Sequence, residues 1–188
     1  MKTDQLNQLD NLRKLQEKLS NGSIDYWKEY SNIDTWQFWV NVSMLVVPLI
    51  ILFIFIDRQK AFHLGFFGYS IHVYSGYIDG FGTRHGYWEY PFQAIPILPI
   101  SFALDTSLIP VVFMLLYQWT LNNNKNYYLY AFLVCAIFSF VFKPIMSALS
   151  LIRLENGANF FHLFLAFIVG SILAKWITNL FLYFEKGR

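Results

Sequence analysis

Residues 36–56 read WQFWVNVSMLVVPLIILFIFI, a run without a single charged side chain. At 1.5 Å per helical residue, a run of this length crosses a hydrocarbon core about 30 Å thick. No water reaches peptide groups there, so the segment must bond its own backbone, and the run predicts a transmembrane helix. Trp36 and Trp39 suit one interface, while Asp57, Arg58 and Lys60 close the other. Pro48 predicts a kink.

The rest of the chain follows the same pattern. Of 188 residues, 56% are hydrophobic and only 14% charged, against about 25% charged in a soluble domain, so there is too little polar surface to face water. Net charge is +2, with no Lys/Arg cluster dense enough to track a phosphate backbone, and no nucleic-acid partner is expected. Cys135 is the only cysteine, which rules out an intrachain disulfide and any paired-thiol metal site. No short apolar segment with a cleavage site stands near the start, so the first span is expected to act as an uncleaved anchor.

Four further spans are predicted, giving an all-α, polytopic transmembrane helical bundle of about five spans with a polar N-terminal helix. In residues 1–35, Leu9, Leu12, Leu15 and Leu19 share one face of a helix over 3–20, with Leu6 at its margin and Asn21-Gly22 as its stop. The bundle occupies residues 36–184. Span two, 61–80, carries His63, Ser70, His72, Ser75 and Asp79, and it needs neighbours; Gly76 and Gly80 have the small-xxx-small spacing of a helix-packing face. Tyr87, Trp88 and Tyr90, in the loop that follows, suit the headgroup zone. Span three, 91–120, is too long for one upright helix and is read as broken by Pro96, Pro99 and Pro110. Spans four and five cover 127–150 and 159–184, and residues 185–188 form a hydrophilic tail. Arg58 and Lys60 after span one, with Glu29 and Asp34 before it, predict an external N-terminus.

An ionisable group at bilayer depth costs about 2.5 to 3.5 kcal/mol on insertion, so each needs a partner, a cavity or a function. Asp105 and Lys143 are the main cases, and His72 and Asp79, one heptad apart, share a helix face. These four form the candidate intramembrane polar site, with Arg153 and Glu155 expected on the same side of the membrane. The plainer alternative is a structural Asp–Lys pair that fixes helix register, with Lys143 snorkelling part of the way out. GxSxG, Walker, GxGxxG and HExxH patterns are missing, and the four histidines are scattered, so no catalytic residue, metal or cofactor is expected.

The string Trp36-Gln37-Phe38-Trp39, Asp57-Arg58, Gly86-Tyr87-Trp88-Glu89-Tyr90-Pro91, Tyr117-Gln118 and Lys143-Pro144 resembles a family of small multi-span membrane proteins common in endospore-forming Gram-positive bacteria. That family shares an N-terminal polar helix and a Tyr-Trp-x-Tyr-Pro loop. The resemblance implies a multi-pass protein of the bacterial cytoplasmic membrane and transfers no substrate, reaction or catalytic residue. Where many relatives carry Glu before the fourth-span proline, this chain has Lys143. The expected role is a non-enzymatic structural, partner-binding or regulatory component, with a link to sporulation; the alternative is a small transporter or channel component. Expected partners are the lipid bilayer and a protein partner or a second copy of the chain.

Overall fold

The structure, a computed structural model, describes residues 3–96 and 101–187. Among the described residues, six long helices follow one another: α1 Thr3–Tyr30, α2 Trp36–Phe55, α3 Ala61–Arg84, α4 Leu104–Asn122, α5 Tyr127–Ala148 and α6 Phe160–Lys186. Two short strands, β1 Trp88–Glu89 and β2 Arg153–Leu154, pair antiparallel. The protein is an all-α helical bundle, and α2, α4, α5 and α6 are each long and apolar enough to cross a membrane. By its 24 residues, α3 spans about 36 Å; its polar side chains keep it out of that set, and it lies at the centre, packed on α4 and α6.

Burial is arranged for lipid rather than water. The buried residues of α2 are Asn41 and Pro48, while Phe53, Ile54 and Phe55 point outward. A soluble helix would do the reverse. Its end is clamped by Gln118 of α4, whose amide donates to the Phe55 carbonyl at 2.9 Å and accepts from the Asp57 N–H at 2.7 Å. These are groups that a helix terminus leaves without partners.

Several boundaries differ from the sequence reading. Helix α1 runs through Gly22 to Tyr30, because tertiary contacts hold its last turns: Trp27 Nε1 donates to the Gln93 carbonyl at 2.8 Å, and the buried Ser31 hydroxyl accepts from the Gln93 N–H at 2.9 Å. The third span begins at Leu104 rather than at 91, since Pro91 and Pro96 deny the ladder their N–H groups and turn the preceding residues away from helix. Pro99 lies outside the described residues. Pro110 does not break α4, which continues through it. The expected hydrophilic tail is drawn into α6, which extends to Lys186.

The glycines of α3, among which Gly65 and Gly68 also offer low-profile surface near Gly76 and Gly80, are not used alike. A Cβ at Gly76 would meet nothing within 4 Å, and Gly76 and Gly80 line an open groove beside α1. Among the described residues, no side chain or backbone packs closely on Gly76. Close approach occurs at Gly68, against Met114, and at Gly82, against the Trp88 ring. Helix α3 then stops on Gly86 at φ +68°; Tyr87 N–H bonds to Gly82 O at 2.9 Å and Gly86 N–H to Thr83 O at 3.1 Å, the paired closure of a Schellman motif.

Candidate functional site: a buried polar centre between two π turns

Helices α4 and α5 each carry one π turn, at Leu104–Leu108 and Phe138–Phe142. Both stand just ahead of a proline, and the cause is local. In the first, Ile109 N–H bonds to Leu104 O, five residues back. In that register the Asp105 carbonyl would need the N–H of residue 110, and proline has none. The freed carbonyl instead accepts from His72 Nδ1 at 2.8 Å and from the Ser75 hydroxyl at 3.4 Å. In the second, Lys143 N–H bonds to Phe138 O, and the Ser139 carbonyl faces the same shortage at Pro144. Such bulges recur at functional sites, and these two present Asp105 and Lys143 to the bundle interior.

Asp79, Asp105 and Lys143 are only 6%, 3% and 3% exposed. Asp79 accepts three hydrogen bonds: from Trp88 Nε1 and Tyr90 Oη at 2.7 Å each on Oδ1, and from Ser101 N–H at 3.0 Å on Oδ2. Strand alternation puts Trp88 and Tyr90 on one face and Glu89 on the other, and Gly82, three residues after Asp79, leaves room for the indole against α3. Burial first, and then Asp79, push the Tyr90 hydroxyl well above its ordinary value, so it remains a donor. Lys143 Nζ donates to the Tyr90 hydroxyl at 3.3 Å and lies 5.3 Å from that ring's centroid.

The structure therefore brings together Asp79, Asp105 and Lys143, with His72 holding the Asp105 backbone. It does not form the expected direct Asp–Lys pair: among the described residues Lys143 makes no ion pair, and its polar partner is Tyr90. Arg153 and Glu155 are on the same side but outside the centre, where Arg153 pairs with Glu89 at 3.5 Å and with Glu155. Trp88 and Tyr90 do not serve as headgroup anchors, because their polar ends are engaged by Asp79; Tyr87 alone of the three is exposed. Among the described residues, three buried side-chain atoms lack any hydrogen-bond partner: Asp105 Oδ2, Thr106 Oγ1 and Ser139 Oγ. All three belong to the two π turns. A cavity of about 50 Å³ is bounded by Asp79, Asp105, Lys143, Tyr90 and Ser171, with apolar walls from α6.

Sequence reasoning missed Trp88, Tyr90 and Ser101; the alternation Trp-x-Tyr next to a buried Asp was the available signal for the first two. It also passed over a second polar group nearer the start of α3. There Lys175 Nζ donates to Tyr117 Oη at 2.7 Å, and the same oxygen lies 2.9 Å from His63 Nε2. Tyr127 stands between the two groups, bonding the Ser171 carbonyl at 3.2 Å while Lys175 Nζ lies 5.9 Å from its ring. His162 has a structural role, closing a capping box with Asn159 at the start of α6.

Fold and centre together define a class, the helical membrane proteins with ionisable groups buried inside the bundle. No family model matches the chain, and no curated protein or solved structure matches it either.

Proposed function

We propose that this protein is a small transporter or channel component that handles a proton or small ion at the Asp79–Asp105–Lys143 centre, in the bacterial cytoplasmic membrane that the family resemblance implies. The observation that carries the reading is the Asp105 carboxyl, buried, with one oxygen lacking any donor among the described residues, in the wall of a cavity it shares with Lys143. A pair kept for stability alone would set Lys143 directly against a carboxylate. The volume supports a small occupant, since about 50 Å³ admits a few water-sized species and no organic solute. The Tyr127 and Lys175–Tyr117–His63 groups extend polar chemistry towards the other end of the bundle, about 24 Å along α3 from Asp79 to His63.

The test is flux. Purified protein in liposomes loaded with a pH-sensitive dye is challenged with a pH gradient and then with Na+ and K+ gradients. Wild type is expected to dissipate one of them, and the near-isosteric Asp105→Asn to lose at least tenfold of that rate. Equal rates in wild type, the variant and empty liposomes would overturn the reading. A scaffold or regulatory role is the second reading, favoured by α1, which has no buried residue and leaves Leu9, Leu12, Leu15 and Leu19 exposed. It predicts a stoichiometric companion, or a second copy of the chain, that is lost when Leu12 and Leu15 become Ser.

A further inference from the structure

Resting on the ion-handling reading above, we infer that the occupant of the centre is a proton, carried by the Asp105 carboxyl and exchanged through the cavity it shares with Lys143. Charge counting supports this choice. The ionisable groups facing Asp105 are Asp79 and His72 from α3, Tyr90 from the segment after β1, and Lys143 from α5; α2 has none in its sequence, and the α6 residues lining the cavity are uncharged. His72 Nδ1 is turned to the Asp105 backbone carbonyl and bonds neither carboxyl, and Tyr90 gives its hydroxyl proton to Asp79. Two carboxyls thus face one ammonium.

One lysine balances one carboxylate, and a second uncompensated charge in this setting is costly. The geometry says which carboxyl is the anion. Asp79 receives three donors on its two oxygens, whereas Asp105 Oδ2 receives none among the described residues; donors gather on an anion, and an oxygen without them suits a protonated carboxyl. The two carboxyls line one small cavity, and like charges sharing such a site do not both persist. A metal cation fits poorly: Lys143 shares the cavity, the Asp79 oxygens are already engaged, and no three His, Cys, Asp or Glu side chains converge as ligands among the described residues. Release breaks the O–H bond of the Asp105 carboxyl, leaves the electron pair on its oxygen and hands the proton to water in the cavity; reloading is the reverse.

Infrared spectroscopy tests this on the full chain in phosphatidylethanolamine–phosphatidylglycerol vesicles at pH 7, with carbon-13 in the aspartate carboxyls. Exposed Asp is ionised at that pH, its ordinary value being about 3.9. Wild type is expected to show one protonated-carboxyl band per chain, sensitive to deuterium exchange. Asp105→Asn should abolish the band. Lys143→Met should double it, because both carboxyls must then be neutral. Asp105→Glu should move the band to the unlabelled position, while Asp79→Glu should keep the isotope shift. The inference is overturned if wild type shows no such band, an arm that depends on no variant. It is also overturned if Lys143→Met leaves the amplitude unchanged, or if the isotope shift survives Asp105→Glu and is lost in Asp79→Glu. The expected band pattern without flux would sink the transport reading and leave the proton on Asp105; Asp105-dependent flux without the band would do the opposite.

Discussion

Tyr90 joins two parts of the centre, since its hydroxyl donates to Asp79 and accepts from Lys143. Tyr90→Phe keeps the ring under the ammonium and removes both hydrogen bonds. Stability should fall by about 1 to 3 kcal/mol, the usual cost of stranding a buried polar group, read from thermal unfolding in nanodiscs. The raised Tyr90 value also has a sign. Below about pH 10, the ordinary tyrosine value, the folded and unfolded chains both hold this proton and stability is unaffected. Above it the unfolded chain releases the proton while the fold retains it, so stability should decline with rising pH. In Tyr90→Phe that part of the decline should vanish. Asp79 and Asp105 were both legible as costly residues at depth, but their inequality was not. It depends on which one meets donors from the loop, and those donors come from 9 and 11 residues further along the chain and from Ser101.

Among the elements, α3 does most to position the site, and its glycines separate two effects of one substitution. At Gly82 an alanine methyl would overlap the Trp88 ring; the indole must move, and its bond to Asp79 goes with it. Gly82→Ala should cost about 1 to 3 kcal/mol and shift Trp fluorescence to the red. At Gly76 the added methyl meets open space, so Gly76→Ala should be neutral or stabilise by up to about 1 kcal/mol through backbone entropy. The opposite result at the two sites would mean that α3 packs on its Gly76 face after all. The small-xxx-small spacing could be read from the sequence, but the rotational setting of α3 could not, because that is set by α4 and α6 packing on its other faces. The π turns follow the same division. Pro110 was visible as a ladder break and Pro144 only as part of the Lys143-Pro144 pair, yet whether each produces a kink, a stop or a bulge depends on whether a neighbour such as His72 can take the freed carbonyl.

For the molecule as a whole, the apolar exterior and the polar interior are two sides of one arrangement. Lipid solvates the Phe, Ile and Leu side chains on α2 and α5, which leaves the interior for groups that must bond one another. Helix α1 stands outside this economy, tied mainly through Trp27 and Ser31 to Gln93. Trypsin acting on protein in nanodiscs should therefore cut first at Arg13, Lys14 or Lys18, leaving a protected fragment that holds α2 to α6, as mass spectrometry would show. First cleavage between α2 and α6 would contradict this division.

The sequence by itself determined the solvent of this chain, its all-helical class and the approximate reach of its apolar helices, because unbroken apolar length and peptide hydrogen bonding in a water-free layer allow little else. It also marked Asp79, Asp105 and Lys143 as residues needing compensation. Only the tertiary structure decided how they are compensated. It brought Trp88 and Tyr90 inward through a two-stranded pairing and, among the described residues, withheld a carboxylate from Lys143 and left one oxygen of Asp105 unpaired. Those outcomes depend on helix rotation and loop registry, which are properties of contacts between segments and are not written in any one of them.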